Sequence, residues 1–235
     1  MVCTACEACI PYCPVEAIKK VDGGVEIVFD ECVECGSCIR YAPCPVDAIQ
    51  ESPEAMVWPR VIRREFSNTN VRHSTTGGQG RGTEESKSND VTGRVKRGQV
   101  GVGLEFGRPG VGARLYDIEK MSMALAKAGV HFEPANPVTY LFADVAAGRL
   151  KDEVRNERVL SAILEFECEM SRLPEIVPVI KSVAETLDTV FSWCMFNRLN
   201  DDGSNPILPI LDELGLQVRP NSKINLGLGR PLVND

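Results

Sequence analysis

Eight cysteines in two short runs constrain this chain more than any other feature. Cys3, Cys6, Cys9 and Cys13 are followed by Pro14, and Cys32, Cys35, Cys38 and Cys44 by Pro45. Two residues separate each of the first three members of a run, so three thiols share one tight loop. Thiolates so spaced point inward around a cube of iron and sulfide, and the fourth Cys of each run, fixed by its proline, reaches the other cube. The spacing therefore assigns Cys3, Cys6, Cys9 and Cys44 to one [4Fe–4S] cluster and Cys13, Cys32, Cys35 and Cys38 to a second. Both central positions, Cys6 and Cys35, are cysteine, which argues for two four-iron clusters. A disulfide scaffold fits poorly with the repeated x2 spacing. Two structural zinc sites would also consume eight thiolates, but not in crossed Cys-Pro runs.

The repeat extends past the ligands. Cys13–Ile18 mirrors Cys44–Ile49, each reading as a short helix after its cysteine, which implies two pseudo-symmetric halves around one core. Over residues 1 to about 55 the chain resembles the bacterial-type two-cluster ferredoxins. The second run departs from that family, with five residues before its last cysteine (Ile39 to Pro43) where three are usual. A bulge near the first cluster is the expected result.

Charge divides the chain. Residues 1–58 hold three Lys or Arg against ten Asp or Glu, and 59–100 hold nine against four. An acidic redox module is expected to dock on a basic partner surface, with Glu31 and Glu34 in the contact. Nucleic acid is not an expected partner for such a surface. No apolar run is long enough to span a membrane. Cys3 follows the first Met so closely that no signal peptide is expected, and thiolate-bound clusters suit a reducing cytoplasm.

The expected fold class is α+β: a ferredoxin module over 1–58, a basic Gly/Ser/Arg-rich segment over 59–97, and a ferredoxin-like βαββαβ α/β plait over 98–235 with an insertion at 134–158. Val25–Phe29 reads as a strand joining the cluster halves. The middle segment, centred on 74–82, reads as a linker, as a wrap around the acidic module or a partner, or as a Gly-rich anion loop that lacks a P-loop ending. In the plait, alternation predicts strands near 98–106, Val130–Glu133, Leu160–Met170 and Val190–Phe196. Helices are expected from Asp117 as N-cap, from Pro174, near Tyr140–Ala147 in the insertion, and over Ile207–Leu214.

Outside the clusters the candidates are fewer. Gly107–Ala113, with Arg108 and Arg114, could hold a small carboxylate at a helix start, the position used by the sensing plaits called ACT domains, which this half resembles in element order. The open sheet face would carry Glu105, His131, Glu133, Glu165 and Glu167, and either binds a metal, stays wet, or meets a partner. Cys168 and Cys194 read as core hydrophobes. Asn89–Gly93 and Gly107–Gly112 resemble proteins named as 6-hydroxynicotinate reductases, which implies a heteroaromatic acid substrate and a flavin, for which no fingerprint is present. The readings are thus an electron-transfer subunit of an oxidoreductase complex, a ferredoxin-fused reductase, or a redox-linked sensor. No catalytic residue is identifiable.

Overall fold

The computed structural model describes residues 3–78, 95–108 and 110–220. Asn89–Gly93, Pro109, residues 79–82 of the Gly-rich centre and the tail to Asp235 lie outside the described residues.

The first strands, β1 (Ile18–Val21) and β2 (Gly24–Ile27), form an antiparallel hairpin closed by Asp22 and Gly23. The second strand thus ends two residues before Phe29. Helix α1 (Ser37–Tyr41) precedes Cys44, and a single 3-10 turn (Ile10–Tyr12) precedes Cys13. The two extra residues of the second run therefore enter as a fuller helical turn. Neither Cys13–Ile18 nor Cys44–Ile49 is a helix, contrary to expectation. Glu16 and Asp47 take φ of 54° and 48°. That turns the chain back, so Ala17 N–H donates to Cys13 Sγ (3.1 Å) and Ala48 N–H to Cys44 Sγ (3.3 Å). The peptide groups serve sulfur instead of a helix ladder.

Helix α2 (Val61–Ser67) begins the segment read above as linker or wrap, and buries Ile62, Arg63 and Phe66. His73, in the loop after α2, is buried edge-on against the Phe66 ring, with centroids 4.9 Å apart. Burial pulls its pKa below 6.5, partly opposed by Glu65. A depressed histidine favours folding above its unfolded value, so this loop loses stability as pH falls through 6.5 toward the folded pKa. Hydrogen exchange of 68–78 should accelerate on that descent, while His73→Phe abolishes the acceleration.

The larger sheet starts with β3 (Gln99–Phe106), whose alternate residues Val100, Val102, Leu104 and Phe106 are wholly buried. After β4 (Ala113–Arg114), α3 (Leu115–Lys127) begins two residues before Asp117. Leu115 and Tyr116 N–H bond the carbonyls of Glu157 and Arg155, which supply the first turn and leave Asp117 no capping role. Asp117 is instead buried and accepts from Lys120 Nζ at 2.8 Å. Gly129, at φ 73°, ends α3: its N–H bonds Ala126 O and that of Val130 bonds Leu125 O, the Schellman pattern. β5 (His131–Phe132) follows.

The insertion contains no helix over Tyr140–Ala147. A 3-10 turn (Thr139–Leu141) leads into the hairpin β6 (Phe142–Asp144) and β7 (Arg149–Leu150), since Gly148 at φ 65° turns the chain against Ser122. β8 (Arg158–Val159) pairs with β4. Then come β9 (Ala162–Glu169), α4 (Leu173–Ala184), β10 (Phe191–Phe196) and α5 (Ile207–Glu213).

The main sheet runs β10-β3-β9-β5, with every neighbouring pair antiparallel. Leu115, Ile118, Met121 and Leu125 of α3 and Leu173, Ile176, Val177 and Ile180 of α4 share one apolar core with its inner face. At about 25 cal/mol per Å² of apolar area buried, such a core is the main stabilising term. Cys168 belongs to it. Cys194 does not, contrary to expectation: it pairs opposite Gly103 on the outer face. A Cβ at Gly103 would lie 2.7 Å from Cys194 Sγ, and one at Gly101 2.1 Å from the Phe196 ring. Those glycines make room for neighbouring side chains.

Candidate iron–sulfur centres

The two cysteine loops repeat in backbone as well as in sequence. Ala5 (φ 57°) matches Glu34 (54°), Glu7 (60°) matches Gly36 (69°), and Glu16 (54°) matches Asp47 (48°). Positive φ is uncommon outside glycine, and such strain gathers at functional loops. Here it curls each run so that its thiols converge.

Cys44 leaves its own loop and joins Cys3, Cys6 and Cys9 around a pocket of about 310 Å³ whose other walls include Val25, Ala48 and Ile49. Burial raises the Cys9 thiol, and the charges of Cys3, Cys6 and Cys44 add to it. Cys44 itself is lowered by the Ala48 and Val46 N–H groups. Cys13 makes the reverse exchange: it packs with Cys32 and Cys35 beside Val15, Ala17, Val33 and Leu160. Burial pushes Cys32 up to about 12 and Cys38 up to about 11, the latter helped by Cys35 and Cys13. The two sites differ in access, since Cys6 is exposed and Cys35 buried.

The donor set fits sulfur-ligated iron. Each site has four thiols on apolar walls, and N–H groups of Ala5, Ala17 and Ala48 aim at sulfur and steady negative charge there. Among the described residues no three His, Cys, Asp or Glu side chains converge on a point suited to a single metal ion.

Arginines from later in the chain hold the second loop. Arg60 bonds Phe29 O at 2.8 Å and pairs with Glu34 at 2.5 Å. Arg63 donates to Asp30 O (2.6 Å), Cys32 O (2.9 Å) and the Glu157 carboxylate. Arg114 pairs with Asp30 (2.6 Å) and Glu31 (2.9 Å), and Arg158 with Glu31. Glu31 and Glu34, expected to face a partner, are thus engaged by the chain's own guanidiniums.

The other candidates fare differently. Arg108 is bound to Glu105 at 2.9 Å and Ser161 at 3.1 Å, so neither it nor Arg114 is offered to a small carboxylate. The outer sheet face holds a pocket of about 470 Å³ lined by His131, Glu133, Glu165, Glu167 and Phe196 among others. Asn136 binds Glu165 at 2.6 Å and Ala135 N–H binds Glu133 at 2.9 Å, and a metal there gains no support. Sequence reasoning missed Arg40, Arg60, Arg63 and Asn68. Mismatches inside the repeat, Pro11 against Arg40 and Glu7 against Gly36, were the available signal for Arg40; nothing local pointed to the other three.

Comparison with curated proteins returns ferredoxins over the same stretch. A ferredoxin of Rickettsia felis is 39% identical over 59 residues, covering 24% of this chain and 52% of the relative. One from Streptomyces griseus is 43% identical over 51 residues, covering 20% and 47%. Ferredoxin-1 of Caulobacter vibrioides is 32% identical over 75 residues, covering 25% and 65%. The N-terminal segment is similar to these bacterial ferredoxins. The match spans about half to two thirds of those ferredoxins and a quarter or less of this chain. No family model matches the chain, and no solved structure matches it significantly. The ferredoxin likeness supports iron–sulfur binding and a role in electron transfer. Among the described residues no helix is long and apolar enough to cross a membrane.

Proposed function

We propose that the chain holds two [4Fe–4S] clusters, one on Cys3, Cys6, Cys9 and Cys44 and the other on Cys13, Cys32, Cys35 and Cys38, and delivers electrons to an oxidoreductase partner in a reducing cytoplasm. The exchange of Cys13 and Cys44 between the two loops carries this reading. Such clusters supply one-electron redox chemistry at low potential. The protein's own residues bind and orient them, exclude water from the second, and set the charge around both. Residues 1–58 act as the redox module and 98–235 as a βαββαβ plait that anchors it to a catalytic subunit. Residues 59–97 join the two. Anaerobic reconstitution should load about eight irons per chain, with the EPR of two reducible cubes; an iron-free or zinc-loaded product would overturn the reading.

Docking falls to the carboxylates left outside the internal pairs. Glu16, Asp22, Glu26 and Asp47 are exposed and carry no ion pair among the described residues, and Glu26 and Asp47 adjoin Val25 and Ala48 of the first pocket. Transfer to the partner should slow with added salt, because exposed charges steer encounter and are screened. Reversing Glu26 and Asp47 together should slow it likewise; a rate indifferent to ionic strength speaks against this docking face.

A further inference from the structure

The loops match in backbone but differ in charge. Cys3–Ile10 aligns with Cys32–Ile39 at a constant offset, which sets Glu7 against Gly36 and, one step on, Pro11 against Arg40. Arg40 Nη2 donates to Cys35 O at 2.8 Å and Nη1 to Asn68 Oδ1 at 3.1 Å. A Cβ at Gly36 would sit 2.6 Å from Arg40 Nη1 and 3.2 Å from Asn68 Nδ2, so a glycine lets this pair lie across the cysteine loop. The neighbouring guanidiniums are each faced by a carboxylate, Arg60 by Glu34 and Arg63 by Glu157. Arg40 has no carboxylate partner among the described residues, and its hydrogen bonds go to a neutral amide and a carbonyl. The first loop has the opposite arrangement: a carboxylate at Glu7, paired with the exposed Lys20, and a proline where the guanidinium would stand.

Reduction adds negative charge to a thiolate-bound cluster. Burial opposes that charge, and the second site is the more buried of the two. An uncompensated cation nearby favours it, and so do oriented dipoles on the ligand loop. We infer that Arg40, pinned by Asn68 across Gly36, raises the reduction potential of the second cluster and offsets the penalty of its burial. This rests on the two-cluster reading. Arg40 is a positioning and tuning residue, since it touches the ligand loop and not the reacting atoms.

The test is an EPR-monitored redox titration of the reconstituted full chain, with the paramagnetically shifted cysteine resonances telling which cluster takes the electron. Arg40→Gln should shift the oxidised-to-reduced ratio of the second cluster about tenfold toward oxidised at a given potential, or about 59 mV for one electron. The first cluster should stay where it is, and Arg40→Lys should recover most of the shift. If Arg40→Gln keeps its iron and titrates like the unsubstituted chain, or moves both clusters equally, the inference is wrong. Should that variant lose the second cluster, Asn68→Ala is read instead. It keeps the charge but frees it, and an unmoved second potential there overturns the inference. Failure of the underlying reading is distinct, because the unsubstituted chain would then lack about eight irons before any titration began.

Discussion

Cys13→Ala is expected to cost the second cluster and spare the first, although Cys13 belongs to the first run. Cys44→Ala should do the opposite. Each variant should retain about four of about eight irons, because a cube deprived of one thiolate is labile while the other keeps its full set. The geometry behind this is the swap itself: Cys44 lines a pocket with Cys3, Cys6 and Cys9, and Cys13 packs on Cys32 and Cys35. Iron analysis with EPR of the survivor decides it. Loss of the cluster belonging to the mutated run would show that the fourth cysteines stay at home.

The second large effect lies at Arg63. Its side chain is 4% exposed, and it ties its own helix to two other pieces of chain: the Glu157 carboxylate, and the Asp30 and Cys32 carbonyls of the second loop. Removing one partner of a buried ion pair leaves the other charge unpaired, typically at about 3–5 kcal/mol. Arg63→Met should therefore destabilise the chain by about that much, a large share of the stability of an ordinary domain. The double variant Arg63→Met, Glu157→Leu should recover a good part, since no charge is then stranded. Denaturant unfolding of the metal-free chain measures both. Equal losses in the single and double variants would mean that the carbonyl contacts, and not the ion pair, carry the energy.

What the sequence made legible was what is encoded locally. Ligand spacing, the alternation of Val100 to Phe106, and the apolar stripe of Leu115 to Leu125 are short-range signals, and the mixed α/β character follows from them. The turns after Cys13 and Cys44 were misread as helices because Glu16 and Asp47 give no hint of positive φ; only the sulfur acceptors explain it. Cys194 was misplaced because Phe191–Phe196 is apolar on nearly every position, so period two had nothing to distinguish. The arginine contacts were invisible for another reason. Arg63 meets Cys32 across 31 positions and Arg158 meets Glu31 across 127, and no local pattern encodes such a pairing. Glu31 and Glu34 consequently looked like free docking charges when both are paired with the chain's own arginines.

That long reach bears on how the protein is made. Every residue lining the first pocket lies between Cys3 and Ile49, so this site is complete while most of the chain is still unsynthesised. The second loop waits for Arg60 and Arg63, and then for Arg114, Glu157 and Arg158, before its carbonyls and carboxylates are all engaged. On a growing chain the lining of the first pocket is therefore complete before the guanidiniums that brace the second loop have been made.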